Sequence, residues 1–271
     1  MKKGILLLLS ITAYISTYSQ EKPFILGYIR ELHSTILNEQ RTLNIYLPPG
    51  YNAEDTIHYP VIYLLDGSAD EDFIHITGLV QYANFSWVNL LPPSIVVGIA
   101  NVDRKRDFCF PTQNQKDKKN NPSSGGSAKF IDFIGNELEP YIDSEYKTNK
   151  TKTIIGQSLG GLLATEILFK KPDLFNKYII ISPSLWWDDE SLLKISPAIL
   201  KDGINTKTSI FIAVGKEGSV MEGDARKLVE ILKRKTNPLI KVHFSYFSKE
   251  NHATIMHQAV YEAFGIFSAT K

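Results

Sequence analysis

Two spacings of apolar residues alternate along this chain. Between positions 24 and 50 the runs "FILGYIREL" and "RTLNIYLPPG", joined by a polar connection, predict an antiparallel hairpin that opens the domain. The pattern then changes. "YPVIYLLDG" and "SIVVGIA" are short, almost wholly apolar and end in glycine or small residues, as strands buried on both faces of a parallel sheet do. "TKTIIGQS", "KYIIISPS", "TSIFIAVGKEG" and "IKVHFSYFSKENH" continue the series. Between them, apolar residues three or four apart predict helices at 128–141, 159–170, 222–234 and 253–267. Strands alternating with helices predict an α/β fold, with a mostly parallel central sheet and helices on both faces.

Two segments break this rhythm. Residues 111–127, "PTQNQKDKKNNPSSGGS", have no periodic apolar positions and predict a mobile loop, either a solvated insertion or a flap beside a site. At the amino end Lys2 and Lys3 precede the apolar stretch that starts at Ile5, and Thr17 and Ser19 are small residues placed as around a signal-peptidase cut. Thr12, Ser16 and Thr17 interrupt this stretch short of the roughly 20 apolar residues a spanning helix needs. The expectation is a signal peptide over 1–19, a single domain over 20–271, and an exported, periplasmic or extracellular product without stable membrane insertion.

Composition adds limits. The 271 residues are 43% hydrophobic and carry 30 Lys+Arg against 29 Asp+Glu, so there is no net field to recruit nucleic acid. Cys109 is the only cysteine, which leaves no internal disulfide to stabilise an exported chain. The sequence has no H-E-x-x-H, no G-x-x-x-x-G-K and no cysteine pair with ligand spacing, so neither metal nor organic cofactor is expected.

Chemistry is concentrated at Gly156-Gln157-Ser158-Leu159-Gly160, a G-x-S-x-G sequence with "KTII" before it and "LLATEILF" after it. Between a strand and a helix this spacing predicts a sharp turn that lifts the Ser158 hydroxyl into solvent at the carboxyl end of the strand. The amide of Leu159 would then face a developing oxyanion, and a second donor is expected around Gly67 or Ser68, after the "VIYLLDG" strand.

A serine hydroxyl needs a base that follows it in the chain. His33, His58 and His75 precede it, His243 lies inside a strand run and His257 inside a helix run, which leaves His252 at the last strand-to-helix junction. For the acid, Glu217 just beyond the "IFIAVG" run leads. Asp224, Asp188 or Asp189, and a dyad with no acid at all, stay open.

Several stretches together resemble the esterase branch of the α/β-hydrolases, which includes enterochelin and ferri-siderophore esterases, YbbA-like hydrolases, esterase D and certain feruloyl esterases. They are "NIYLPPGYN", "YPVIYLLDG", "GNELEPYID", "GQSLGG", "ISPSLWW", "VGKEG" and "ENHATIMHQAVYEAF". The resemblance implies Ser158 as nucleophile, His252 as base and a small-molecule ester as substrate, and modestly favours Glu217. Siderophore esterases use basic residues to hold anionic catecholates, so Arg104 and Arg106 in "NVDRKRDFCFPT" become candidate substrate contacts, unless they form a solvated cluster balanced by Asp103 and Asp107. Trp186 and Trp187 would stack on an aromatic acyl group or pack beneath a loop. The expected reaction is hydrolysis of a carboxylic ester through an acyl-serine, siderophore and aromatic acyl esters being the first candidates. The alternatives are an acyltransferase, as the mycolyltransferases of this fold are, and a non-catalytic binding protein.

Overall fold

A computed structural model describes residues 21–200, 206–234 and 237–269. The expected leader over 1–19 lies outside them, and among the described residues no helix is long and apolar enough to cross a membrane. The strands are β1 (Tyr28–Ser34), β2 (Glu39–Tyr46), β3 (Tyr59–Leu64), β4 (Ile95–Ile99), β5 (Thr148–Gln157), β6 (Lys177–Ile181), β7 (Thr208–Gly215) and β8 (Ile240–Phe247). They form one sheet in the order β1-β2-β4-β3-β5-β6-β7-β8. β2 pairs antiparallel with β1 and with β4, and every pairing from β4 to β8 is parallel.

The continuous apolar runs have a two-faced cause. Successive residues of a strand point to opposite sides, so Tyr63, Ile154, Ile180 and Ile212 enter one core while Leu64, Ile155, Ile181 and Ala213 enter the other. Helices cover both. The first core receives Phe130 and Phe133 of α4 (Ser127–Phe133), Leu163 and Ile167 of α6 (Leu159–Lys170) and Leu228 and Leu232 of α8 (Ser219–Lys233). The second receives Ile76 and Val80 of α1 (Phe73–Asn84) and Val260 and Phe264 of α9 (Ile255–Ala269). α2 (Arg104–Phe108), α3 (Gln115–Asn120), α5 (Glu139–Glu145) and a short turn, α7 (Trp187–Glu190), complete the set.

The structure departs from the sequence reading in four places. β1 starts at Tyr28, and Phe24 ahead of it is exposed. α1 had no sequence signal strong enough to register, because Ile74, Ile76, Thr77 and Gly78 are weak helix formers. It exists by packing Phe73, Ile76, Leu79, Val80 and Ala83 against the sheet and α9. The helix expected at 128–141 is broken by a π turn, Ile134–Leu138, just before Pro140, whose ring and missing N–H disturb a regular ladder. Finally, 111–127 is not a structureless flap. It holds α3, capped by the Asn114 side chain, and is tied down by Asp188, whose carboxylate accepts from Thr112 Oγ1 (2.8 Å) and the Gln113 amide (2.5 Å).

Candidate active site

β5 ends at Gln157 and α6 begins at Leu159, so Ser158 alone makes the turn, at φ 58° and ψ −119°. A non-glycine residue held in that region is strained, and here the surrounding chain imposes it. The Ser158 amide donates to Ile181 O (3.0 Å), and its carbonyl accepts from the Ser184 and Leu162 amides. The need for glycine is sharpest at Gly156, where a Cβ would lie 2.4 Å from Gly160 O. At Gly160 itself the nearest contacts would be ordinary, at 3.4 Å. We expect Gly156→Ala to force the elbow open at a cost of about 1–3 kcal/mol, read as a lowered melting temperature with at least a tenfold loss of esterase activity. A melting temperature and activity equal to the wild type would show that the turn does not depend on this approach.

His252 sits on the turn between β8 and α9, and Glu217 on the loop after β7. His252 Nδ1 donates to Glu217 Oε2 at 2.5 Å. The other carboxylate oxygen of Glu217 accepts from Ser182 Oγ (2.5 Å) and the Gly215 amide (2.9 Å). Burial alone would raise the Glu217 carboxyl, but the bonds from His252, Ser182 and Gly215 outweigh it and hold it below the usual carboxylate range. The carboxylate is 3% exposed and the imidazole 47%, an oriented ring presented to solvent. Its turn is pinned on three sides: the Gln157 side chain donates to His252 O, the Lys216 amide to Glu250 O (2.7 Å), and the Ala253 amide to Asn251 Oδ1 (2.9 Å).

Ser158 and His252 line one pocket of about 410 Å³, together with Asp66, Glu71, Asp72 and Arg104. The serine hydroxyl lies 3.3 Å from Ser184 Oγ, and no hydrogen bond joins it to His252 in this state; such bonds are often long without substrate. In a depression of about 530 Å³ at the opposite strand ends, His58 Nδ1 bonds to Thr56 O (2.9 Å) and no hydrogen bond joins it to Ser209, whereas the carboxyl strand ends carry the serine elbow and the histidine–carboxylate pair, so the site belongs there.

The remaining candidates separate by their partners. The rival acids are engaged elsewhere: Asp224 is buried on α8, where burial and then Glu190 push it up to about 6, and Asp188 and Asp189 hold the 112–114 turn. The Gly67 amide already donates to Ile99 O (3.0 Å), which removes it as an oxyanion donor. The amides of Ser68 and Leu159 have no acceptor among the described residues. Arg106 is corrected to a structural role, with its guanidinium bonded to Glu39 and Asp107. Arg104 does reach the pocket, but in a two-point pair with Asp66 (2.6 and 2.8 Å). Trp187 is fully buried and donates to Phe110 O (2.9 Å), so it packs rather than meets substrate, whereas Trp186 beside it is 37% exposed. Ser182, Ser184 and Gln157 escaped the sequence reading. Their only signal was position at the ends of β5 and β6, next to the serine strand.

This strand order, with a serine elbow after β5 and a histidine–carboxylate pair on the β7 and β8 loops, defines the α/β-hydrolase class. Within it the chain belongs to the Esterase family, described as "Putative esterase", whose model matches residues 34–261. It is 32% identical over 238 residues to the ferri-bacillibactin esterase BesA of Bacillus subtilis (strain 168), covering 81% of this chain and 82% of that one. An IroE-like serine hydrolase from Shewanella oneidensis superposes with a TM-score of 0.80 at 28% identity, over 90% of this chain and 80% of that one. The BES protein from Bacillus cereus superposes equally well, TM-score 0.80 at 27% identity, over 93% of this chain and 98% of the other. The chain is an ester-hydrolysing enzyme.

Proposed function

We propose that this enzyme is an exported serine esterase that cleaves a siderophore-type carboxylic ester through an acyl-serine. The observation that carries the reading is the shared pocket: Ser158, strained at the elbow, faces the same space as His252, whose Nδ1 is held by Glu217. With Nδ1 engaged, Nε2 takes the Ser158 proton as Oγ attacks the ester carbonyl. The amides of Leu159 and Ser68 receive the oxyanion, each contributing on the order of 3 kcal/mol to transition-state stabilisation. Collapse breaks the carbonyl–alkoxy bond and passes the proton to the departing alcohol. Water then gives a proton to His252, attacks the acyl carbon and releases the acid, and the proton returns to Ser158.

Two of the relatives above are a named esterase and a serine hydrolase, which favours hydrolysis over acyl transfer or simple binding. One of them is a ferri-bacillibactin esterase, which makes siderophore esters the first substrates to try. Export rests on the amino-terminal pattern of Lys2, Lys3 and the apolar stretch from Ile5. The test is single-turnover and steady-state hydrolysis of p-nitrophenyl acetate and of trilactone and hydroxamate siderophore esters by the chain from residue 20, with amino-terminal sequencing of the product secreted from the full chain. An initial burst stoichiometric with enzyme, siderophore turnover, and a start near Gln20 are expected. Turnover that persists in Ser158→Ala together with no fluorophosphonate label on the wild-type serine would remove the acyl-serine.

A further inference from the structure

The charge around Ser158 runs against the expectation of an anion-binding pocket. Three carboxyl groups, Asp66, Glu71 and Asp72, line the space that holds Ser158 and His252, against one cation, Arg104. That cation is already matched: Nε and Nη2 of Arg104 lie on the two oxygens of Asp66. Among the described residues Glu71 is held only by a neutral amide, Asn101 Nδ2, at 3.1 Å from each of its oxygens. The carboxyl of Asp72 makes no hydrogen bond or ion pair among the described residues, and as the residue before α1 it caps nothing with its side chain. Arg106, the other cation expected here, is bound to Glu39 and Asp107. Glu71 and Asp72 therefore line the pocket of Ser158 with no ion-pair partner among the described residues, and Arg104, paired with Asp66, acts on Asp72 only at a distance.

We infer that Asp72, supported by Glu71, is a specificity-determining residue that, among the siderophore-type esters proposed above, favours those presenting a cationic ammonium group beside the scissile bond and disfavours those presenting an anion there. This inference rests on the reading of Ser158 and His252 as the reacting pair, since it places the carboxylates in their pocket. Physically, an ammonium entering this space supplies the missing counter-charge, whereas a carboxylate or an ionised catechol adds another like charge. A single ionic contact at about 4 Å is worth roughly fivefold in water-like surroundings and more where solvent is excluded. The pH dependence follows from the same geometry. The groups facing Asp72 are Asp66 and Glu71 on its own loop, Arg104 on α2 and His252 on the β8–α9 turn. Burial, then Asp66 and Glu71, push its carboxyl up to about 6 against the pull of Arg104, so the preference should be present above that pH and fade below it.

The test compares three acetyl thioesters with one acyl group: acetylthiocholine, its neutral S-(3,3-dimethylbutyl) isostere, and anionic S-acetylthioglycolate. Because His252 serves all three, its titration divides out of the ratios of kcat/KM. For the wild type at pH 7.5 and low salt, a cation-to-neutral ratio of at least about 5 is expected, with the anion slower than the neutral ester. The ratio should fall toward one as pH drops through about 6, and should lie near one at every pH in Asp72→Asn. In Glu71→Gln the step should move to lower pH, since one of the like charges that raise Asp72 is gone. A wild-type ratio of one, a preference for the anion, or a ratio that survives in Asp72→Asn would overturn the inference. Inactivation rates with a phosphorylthiocholine ester and its neutral analogue read the same ratio without turnover. Failure of the underlying catalytic reading looks different: no turnover of any thioester and no fluorophosphonate label on Ser158, which removes this inference with it.

Discussion

Ser158→Ala should lose both fluorophosphonate labelling and all burst kinetics, with kcat on p-nitrophenyl butyrate lower by a factor on the order of 10⁴–10⁶. The size follows from what the serine alone supplies. Ser158 is the one hydroxyl at the elbow between β5 and α6, directly before the unpaired Leu159 amide, and no neighbouring group replaces it as a nucleophile. Ser184 Oγ lies only 3.3 Å away, but its amide is bound to Ser158 O and it follows β6 rather than occupying the elbow. Folding should be unaffected, because the Ser158 backbone bonds to Ile181 and Ser184 do not involve the side chain. Circular dichroism and the melting curve provide that control. Activity within tenfold of wild type in a folded Ser158→Ala protein would show that hydrolysis proceeds by another nucleophile.

Glu217→Gln is the second large effect, with an expected loss in kcat on the order of 10³–10⁴. The Glu217 carboxylate is buried and receives three donors, from His252, Ser182 and Gly215, so its shape and charge are fully used. An amide of the same shape turns an N–H toward His252 Nδ1. The imidazole must then carry its proton on the wrong nitrogen, and the charged ring formed during attack loses its partner. A carboxyl held below its usual range also stays ionised into mildly acid solution, so activity lost on mild acidification should not follow this acid. A loss smaller than tenfold would favour a dyad in which Glu217 only positions the turn.

How far the residue pattern could be read depended on whether the cause was local. The strand runs were legible because residues such as Ile154 and Ile155 are each buried on opposite faces, which demands apolar character at both. The serine elbow was legible because a Cβ at position 156 would strike the backbone of residue 160, and only glycine avoids this. His252 stood out by chain order and by its place between a strand and a helix. Residues 111–127 misled because a polar segment with no periodicity can still be fixed by partners far away. Here the partner is Asp188, about 75 positions later, as its bond to Gln113 records. Trp187 and Arg106 stayed between two readings for a related reason: an aromatic or a cation looks the same in sequence whether it meets substrate or a buried carbonyl and a carboxylate.

By itself, the sequence determined the layered α/β fold, the serine elbow and the histidine that follows it, because those features rest on side-chain period, backbone sterics and chain order. Only the tertiary structure decided which carboxylate meets His252, which backbone amides remain open for an oxyanion, and which charges face Ser158. Those are contacts between loops at the ends of different strands, and each is set by distances that no local pattern encodes. Thus Glu217 is chosen over Asp224 by reach, the Ser68 amide over that of Gly67 by the bond to Ile99 O, and the unpaired Asp72 over Arg104 by the pairing of the arginine with Asp66.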